Sequence, residues 1–334
     1  MDFRFSDEQV AMGQAVREAL TRSCGLDVVR RVFNGDGHAA ETVWGVLSRL
    51  GLPTLRLTES AGGTGLGLVD AMLPLEEVGR ACAPGPIAET IALAPLLVGT
   101  PMLGRLSGTI AGSLAVSTRS GSSALSHDAD IFVLLDHGGG DPVLLLPREL
   151  ADPQPQPSVD GARYLVQLKV PAASQAGIVS LPSGGRDALL ATTTATSAVL
   201  LGLAQTMLDL SVTHANTREQ FGQRIGAFQA VKHHLADAYV ALAFARPVVY
   251  RAALSVDLDD EHAALHVSMA KAQASEAALE VARHALQVHG AIGYTTEYAL
   301  HFYLKRAWAL AQAFGDARHH REVIASLLLG ANEK

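Results

Sequence analysis

The sequence predicts an α+β protein in three parts. These are an N-terminal helical domain (residues 1–106), a small middle β-domain (107–183) and a C-terminal four-helix-type bundle (184–334). Three observations carry that reading. Beyond Gly185 apolar residues recur at helical spacing almost to the end of the chain. From Ser107 to about Ser180 the texture changes to short β-leaning runs separated by Gly, Pro, Asp and Ser. Finally, the chain is 49% hydrophobic but only 5% aromatic, with Ala, Leu and Val abundant, which suits helices packed closely on small side chains.

The N-terminal part begins with Ser6-Asp7-Glu8, a helix cap followed by acids that complement the helix macrodipole. Val10, Met12, Val16 and Leu20 continue an amphipathic helix to about Arg22, and a second helix over 40–50 ends at Gly51 before Pro53. The glycines at 62, 63 and 65 read as a turn rather than a phosphate loop. They lead into a helix containing Glu76-Glu77, which Pro84-Gly85-Pro86 ends, and a further helix covers 87–98. In the middle part the runs 114–117, 131–135, 143–146 and 164–170 are the expected strands. Gly138-Gly139-Gly140-Asp141 is the expected hairpin connection, and Pro153, Pro155 and Pro157 mark an exposed extended loop. The C-terminal part reads as helices over 188–215, 227–256, from a turn at 257–261 through His289, 297–313 and 317–329. Pro247 is expected to kink or break the second of these near Ala243.

A net charge of −7 argues against a nucleic-acid binder. Cys24 and Cys82 cannot make a disulfide framework, no metal-ligand spacing occurs, and both read as buried small hydrophobes. The acidic-leaning N-terminus lacks the layout of a signal peptide, and no charge-free run of about 18 apolar residues occurs. The expectation is a cytoplasmic protein with no membrane span, no metal and no nucleic-acid partner.

Two stretches concentrate chemistry. In the first, Arg218, Gln220, Gln223, Arg224 and Gln229 crowd a polar loop and the first turn of the following helix. Free backbone N–H groups and an Arg fork there offer a seat for a pyrophosphate. In the second, His289-Gly290-Ala291 and Gly293 let a second backbone or a dinucleotide come close. Through Arg218, Phe221, Gly222 and Gln229, followed by Gln287, Gly290, Ala291, Gly293, Tyr294, Thr295, Glu297 and Tyr298, the chain resembles the acyl-CoA dehydrogenase family. The segment around residues 58–65 and the Glu-Glu-Val-Gly-Arg helix (76–80) are also similar to that family, where this region helps to shape the acyl pocket.

The resemblance implies FAD as cofactor, an acyl-CoA substrate, α,β-desaturation and an electron-transfer acceptor. It assigns Arg218, Phe221, Gln229, Gln287, Gly290 and Ala291 to FAD contacts reaching across a subunit interface. It fails at the base. Counting on from Arg306 to the family's usual catalytic Glu lands on Gly315, and the alternative position used by a minority holds Thr192. Asp316 is the nearest carboxylate, equally readable as the cap of the last helix; Asp187 reads as a cap, and His319-His320 as a solvated pair. The loop that lies on the flavin ring in the family is replaced by Ser117-Thr118-Arg119-Ser120-Gly121-Ser122, and the following Trp-bearing strand has no Trp. Either fewer contacts hold the flavin, or this β-domain holds no ring.

Short bacterial members of similar length form α2β2 heterotetramers acting on bulky thioesters such as steroid side chains, with one subunit type lacking the carboxylate. The resemblance therefore implies a subunit that keeps what it lends to a homologous partner's FAD and has lost its own base. A homo-oligomer, a silent scaffold, and a flavin oxidase or monooxygenase relative remain the alternatives.

Overall fold

The computed structural model describes residues 4–106, 114–118, 123–124, 129–135, 140, 142–163, 165–168 and 176–330. The chain opens with α1 (Asp7–Ser23), α2 (Leu26–Phe33) and α3 (Gly37–Arg49), then α4 (Met72–Arg80), α5 (Ile87–Leu93) and the single turn α6 (Leu103–Leu106). Ser6 and Gln9 form a full capping box at α1, and Gly51 ends the α3 region at φ +74°, where a side chain would be strained. The eight-residue α2 falls in a stretch that the sequence reading left without an element. The predicted helix over 87–98 is shorter, giving way to a 3-10 turn at Ala94–Leu97 beside Pro95.

Among the described residues nine strands follow: β1 (Leu114–Thr118), β2 (Ser123–Ala124), β3 (Ile131–Leu135), β4 (Val143–Pro147), β5 (Gln154–Gln156), β6 (Leu165–Gln167), β7 (Val179–Leu181), and later β8 (Glu219–Gln220) and β9 (Gln223–Arg224). The one-turn α7 (Arg148–Ala151) separates β4 from β5. One sheet has the order β1-β3-β4-β7, with β1 parallel to β3 and the other pairs antiparallel; a second has the order β2-β6-β5. The all-apolar β3 and β4 are buried on both faces, as uninterrupted hydrophobic strands require. Ile131, Val133, Val143 and Leu145 pack on Leu93, Leu97 and Leu106; Phe132, Leu134, Leu144 and Leu146 turn to Val166 and Leu168. In the middle part three strands escaped the sequence reading. β2 and β7 are two and three residues long, and β5 alternates Gln with Pro155, where an extended loop was expected. β3 and β4 pair antiparallel; of the expected hairpin connection at Gly138–Asp141, residues 138, 139 and 141 lie outside the described residues, as do 119–122 of the flavin-facing loop position.

The remainder is helical: α8 (Gly185–Thr217), α9 (Gln229–Asp257), α10 (Ala263–His289), α11 (Leu300–Gln312) and α12 (Ala317–Leu329). α9 does not break at Pro247. It runs unbroken to Asp257, and side chains on both sides of the proline (Ala238, Leu242, Val249, Ala252) are buried in the same core. Lost hydrogen bonding at one proline is outweighed where packing holds both halves. Asp187 is not a cap; Gly184 occupies that position and Asp187 lies in the first turn.

By length and composition α8 and α9 could each cross a membrane. In α8, 83% of the apolar window is buried within the protein, so it is a core helix; in α9 only 33% is buried. Tyr239, Val240 and Phe244 stand exposed on α9.

α4 crosses α8 so closely that only glycine fits. A Cβ on Gly79 would lie 2.2 Å from Val199 O, and one on Gly202 would lie 1.9 Å from Glu76 O. One hydrophobic core therefore runs from α1, α3 and α4 through α8 into α9, α10 and α11. Charges tie α4 to its neighbours α1, α8 and α9. Arg17 holds Glu77 at 2.6 Å and Arg80 holds Asp209 at 2.9 Å. The buried Glu76 accepts from Tyr250 Oη and from Arg246 Nε at 3.3 Å, while Arg246 also donates to Gln205 at 2.7 Å. Burial raises the Glu76 carboxyl above its ordinary range, against the pull of Arg246.

A Gly202→Ala variant is expected to lose more than about 3 kcal/mol of stability, because the obstacle is backbone that cannot step aside. Thermal unfolding against wild type, with Gly104→Ala, whose Cβ meets nothing within 4 Å, as the control, measures it.

Candidate functional site

The first predicted stretch is a hairpin. β8 and β9 pair antiparallel, Glu219 with Arg224 and Gln220 with Gln223, around a two-residue turn. Phe221 and Gly222 both have positive φ (+52° and +77°), the backbone hand of a tight primed turn. Phe221 is 92% exposed at the tip, against Phe228 with ring centroids 6.1 Å apart. A hairpin this short could not be told from a polar loop by periodicity. Its base rests on α8: Ile225 N donates to Arg218 O at 2.9 Å, and Gly226 lies against Ala215, where a Cβ would come 2.9 Å from the carbonyl. Gln229 opens α9, exposed, with no side chain capping that end.

The second stretch meets the first at the helix ends. His214, one turn before Arg218, stacks on His289 with centroids 4.5 Å apart and planes at 26°. His289 Nδ1 faces Ala285 O at 2.8 Å and must donate, so Nε2 accepts from Tyr298 Oη at 3.1 Å. Burial, and then the cation of Arg218, holds His214 below the ordinary imidazole range; burial holds His289 down as well. Two neutral rings thus weld the end of α8 to the end of α10. This brings Arg218, Phe221 and Gln229 onto the same end of the bundle as Gln287, Gly290 and Ala291, all six exposed. No carboxylate lies within 4 Å of Arg218 or Arg224 among the described residues, so both guanidiniums are available to a phosphate. An exposed pair of Arg forks, an uncapped helix N-terminus and Gly290 at φ +64° fit the diphosphate of a dinucleotide.

The base positions are different in kind. Thr192 is fully buried, and its hydroxyl donates to Ala188 O at 2.7 Å within α8. Gly315 has φ +95°, and a Cβ there would come 2.4 Å from the His319 ring and 2.9 Å from His320 Nε2. A glutamate does not fit this loop as it is folded. Asp316 caps α12, accepting from His319 N at 2.8 Å, which with the Arg318 and His319 charges keeps its carboxyl below the usual range. His319 is exposed, but His320 is buried, which corrects the reading of a solvated pair; its Nε2–H donates to Phe314 O at 3.0 Å. His233 is exposed, and His234 turns inward to share a hydrogen bond with His284 at 2.8 Å.

Sequence reasoning missed what grips this loop. Lys271 is fully buried on α10, its Nζ donating to Ala311 O (3.0 Å), Gly315 O (2.9 Å) and Ser275 Oγ (3.1 Å). Burial brings its ammonium down to about 7, against the attraction of Asp316. The signal was a lone lysine at helical spacing with Val267, Ala274 and Ala278. Glu89 was equally visible, alone in an apolar run. It meets Arg163 at 2.7 Å, beside a second buried pair between Arg306 and Asp160. Cys24 and Cys82 are buried, their thiols pushed up to about 12 by desolvation.

With this geometry, comparison with known proteins is decisive for the class. Residues 6–106 match the acyl-CoA dehydrogenase N-terminal domain and residues 187–329 the C-terminal domain. The chain belongs to the acyl-CoA dehydrogenase family, flavoprotein oxidoreductases that act on CH–CH bonds. It is 32% identical over 321 residues to the acyl-CoA dehydrogenase IpdE2 of Mycolicibacterium smegmatis, covering 94% of this chain and 96% of that one. It is also similar to the Tcur3481–Tcur3483 steroid ACAD G363A variant (TM-score 0.84, 24% identity, 98% of this chain and 99% of that chain). The ChsE4–ChsE5 complex from Mycobacterium tuberculosis is a further structural relative (TM-score 0.80, 22% identity, 98% and 99%). At these identities the two solved structures speak for the fold.

The loop over Gly315 carries a pH signature. Burial and the nearby Lys271 bring the His320 imidazole from 6.5 to about 4. The unfolded chain therefore takes up this proton first as pH falls, so the stability His320 contributes is full above about 6.5 and lost toward about 4. His320→Gln keeps a donor for Phe314 O and does not titrate. Its unfolding midpoint is expected to fall less steeply than that of wild type across that window, read by thermal melts at stepped pH.

Proposed function

We propose that this chain is the supporting subunit of an FAD-dependent acyl-CoA dehydrogenase, working in a hetero-oligomer with a homologous chain that supplies the catalytic carboxylate. The observation that carries this reading is the contrast between the two sites. The six residues assigned to the cofactor are exposed and turned outward at one end of the bundle, whereas Gly315 and Thr192 are closed to any base. In this reading Arg218 takes a phosphate oxygen of the partner's FAD, and Phe221 and Gln229 flank it. Gln287, Gly290 and Ala291 present a small-residue surface to the dinucleotide. FAD, when bound, supplies hydride acceptance; this chain's residues orient it and exclude water around its diphosphate. Asp316 is not assigned as a base, because its carboxylate is committed to His319 N.

The incompletely buried α9 gives the partner a face to cover, and Tyr239, Val240 and Phe244 are its anchors. Complexes of two chains among structural relatives, one of them a steroid ACAD, favour a bulky, steroid-like acyl-CoA as substrate. The electron-transfer acceptor, the cytoplasmic setting and division of the chain at 106/107 and 183/184 belong to the same reading.

Flavin absorbance and native mass of the chain, purified alone and with a co-expressed homologous subunit, test it. Full flavin occupancy and desaturation by the chain alone would overturn it. In the complex, Arg218→Ala removes a charge-assisted bond or two. It is expected to weaken flavin retention roughly ten- to hundred-fold, measured by flavin release on dilution.

A further inference from the structure

α8 carries a run of hydroxyls, and one of them behaves differently. Thr192, Thr193, Thr194 and Ser197 each donate to the carbonyl four residues earlier, at 2.7, 2.7, 2.9 and 2.8 Å. Thr196, only 1% exposed, does not, and its Oγ1 is buried with no partner. Arg306, 3% exposed, spends Nε on Asp160 and Nη1 on Ala83 O at 2.9 Å, while Nη2 is likewise buried and unpaired. The two residues line a single cavity of about 20 Å³, with Glu89 and Arg163 also on its wall.

A cavity needs about 10–15 Å³ on this measure to hold one water, and a water needs polar partners. Both conditions are met. An anion is disfavoured, because the surrounding charges cancel: Arg163 against Glu89, and Arg306 against Asp160. We propose that this cavity is the binding site of a single internal water, which accepts from Arg306 Nη2 and is hydrogen-bonded to Thr196 Oγ1. The water joins α8 to α11 at the place where the Asp160–Arg163 turn is pinned between α5 and α11. With it bound, the junction of the three parts has no unpaired polar group on Thr196 or Arg306.

A crystal structure at a resolution that shows ordered waters is expected to contain one density peak within hydrogen-bonding distance of both atoms. No density in the cavity, or an anomalous peak there after a bromide soak, would overturn the proposal. Thr196→Val supplies a second measurement. If the hydroxyl holds a water, its loss lowers the thermal midpoint by roughly 1–3 °C, and Thr196→Ser stays near wild type. If the hydroxyl is unpartnered, removing it raises the midpoint, which sinks the idea.

Discussion

The molecule depends on the contact between α4 and α8, where two glycines let backbone meet backbone. Much of the N-terminal part meets the bundle there, and α8, buried along most of its length from Ala191 to Leu208, is the axis on which both halves pack. Close helix contact of this kind forfeits side-chain burial at the crossing. The chain offsets that with alanines around it and with an ion pair across it (Arg80–Asp209), while Arg17–Glu77 ties α1 to the same helix α4. Buried carboxylates are tolerated only because each has a partner reaching from another element. Glu76 is shared by Arg246 and Tyr250 of α9, so the same residue run that crosses α8 also fixes the rotation of α9.

That rotation has functional weight. It leaves part of α9 uncovered and sets its N-terminus beside the hairpin that carries Phe221. The stacked imidazoles of His214 and His289 then fix this end of α8 against α10. The outward end of the bundle is thus rigid, polar and exposed. The opposite tendency governs the loop between α11 and α12, where Lys271, His320 and the Asp316 cap each bind its backbone. One region is built to meet something, and the other is built to be closed.

Much of this was legible in the sequence. Caps and glycines placed the ends of α1, α3 and α12, helical periodicity placed the bundle, and the composition shift placed the sheets. The motifs around Arg218 and Gln287 were legible as a pair directed at one dinucleotide, though not their meeting at one end of the bundle. What escaped has a physical reason in each case. α2, β2, β7 and the β8–β9 hairpin are too short for a period to register, and of the kink or break read from Pro247 the break is absent, because packing holds both of its sides. The arginine that meets Glu89, the two carbonyls that hold Lys271 and the carboxylate that meets Arg306 lie 74, 40 and 44, and 146 residues away, and no pattern within a window reports them. A lone charge in an apolar run announces that a partner exists, not which one.

Lys271 shows how such a group can be kept without an opposing carboxylate in contact. Its three neighbours are two carbonyls, which can only accept, and the hydroxyl of Ser275, which can do either. As an ammonium the lysine donates to all three. As a neutral amine it still has two N–H groups for Ala311 and Gly315, while the serine swivels to hand its own hydrogen to the nitrogen's lone pair. The hairpin of backbone between α11 and α12 is therefore held in one shape whichever way the proton goes.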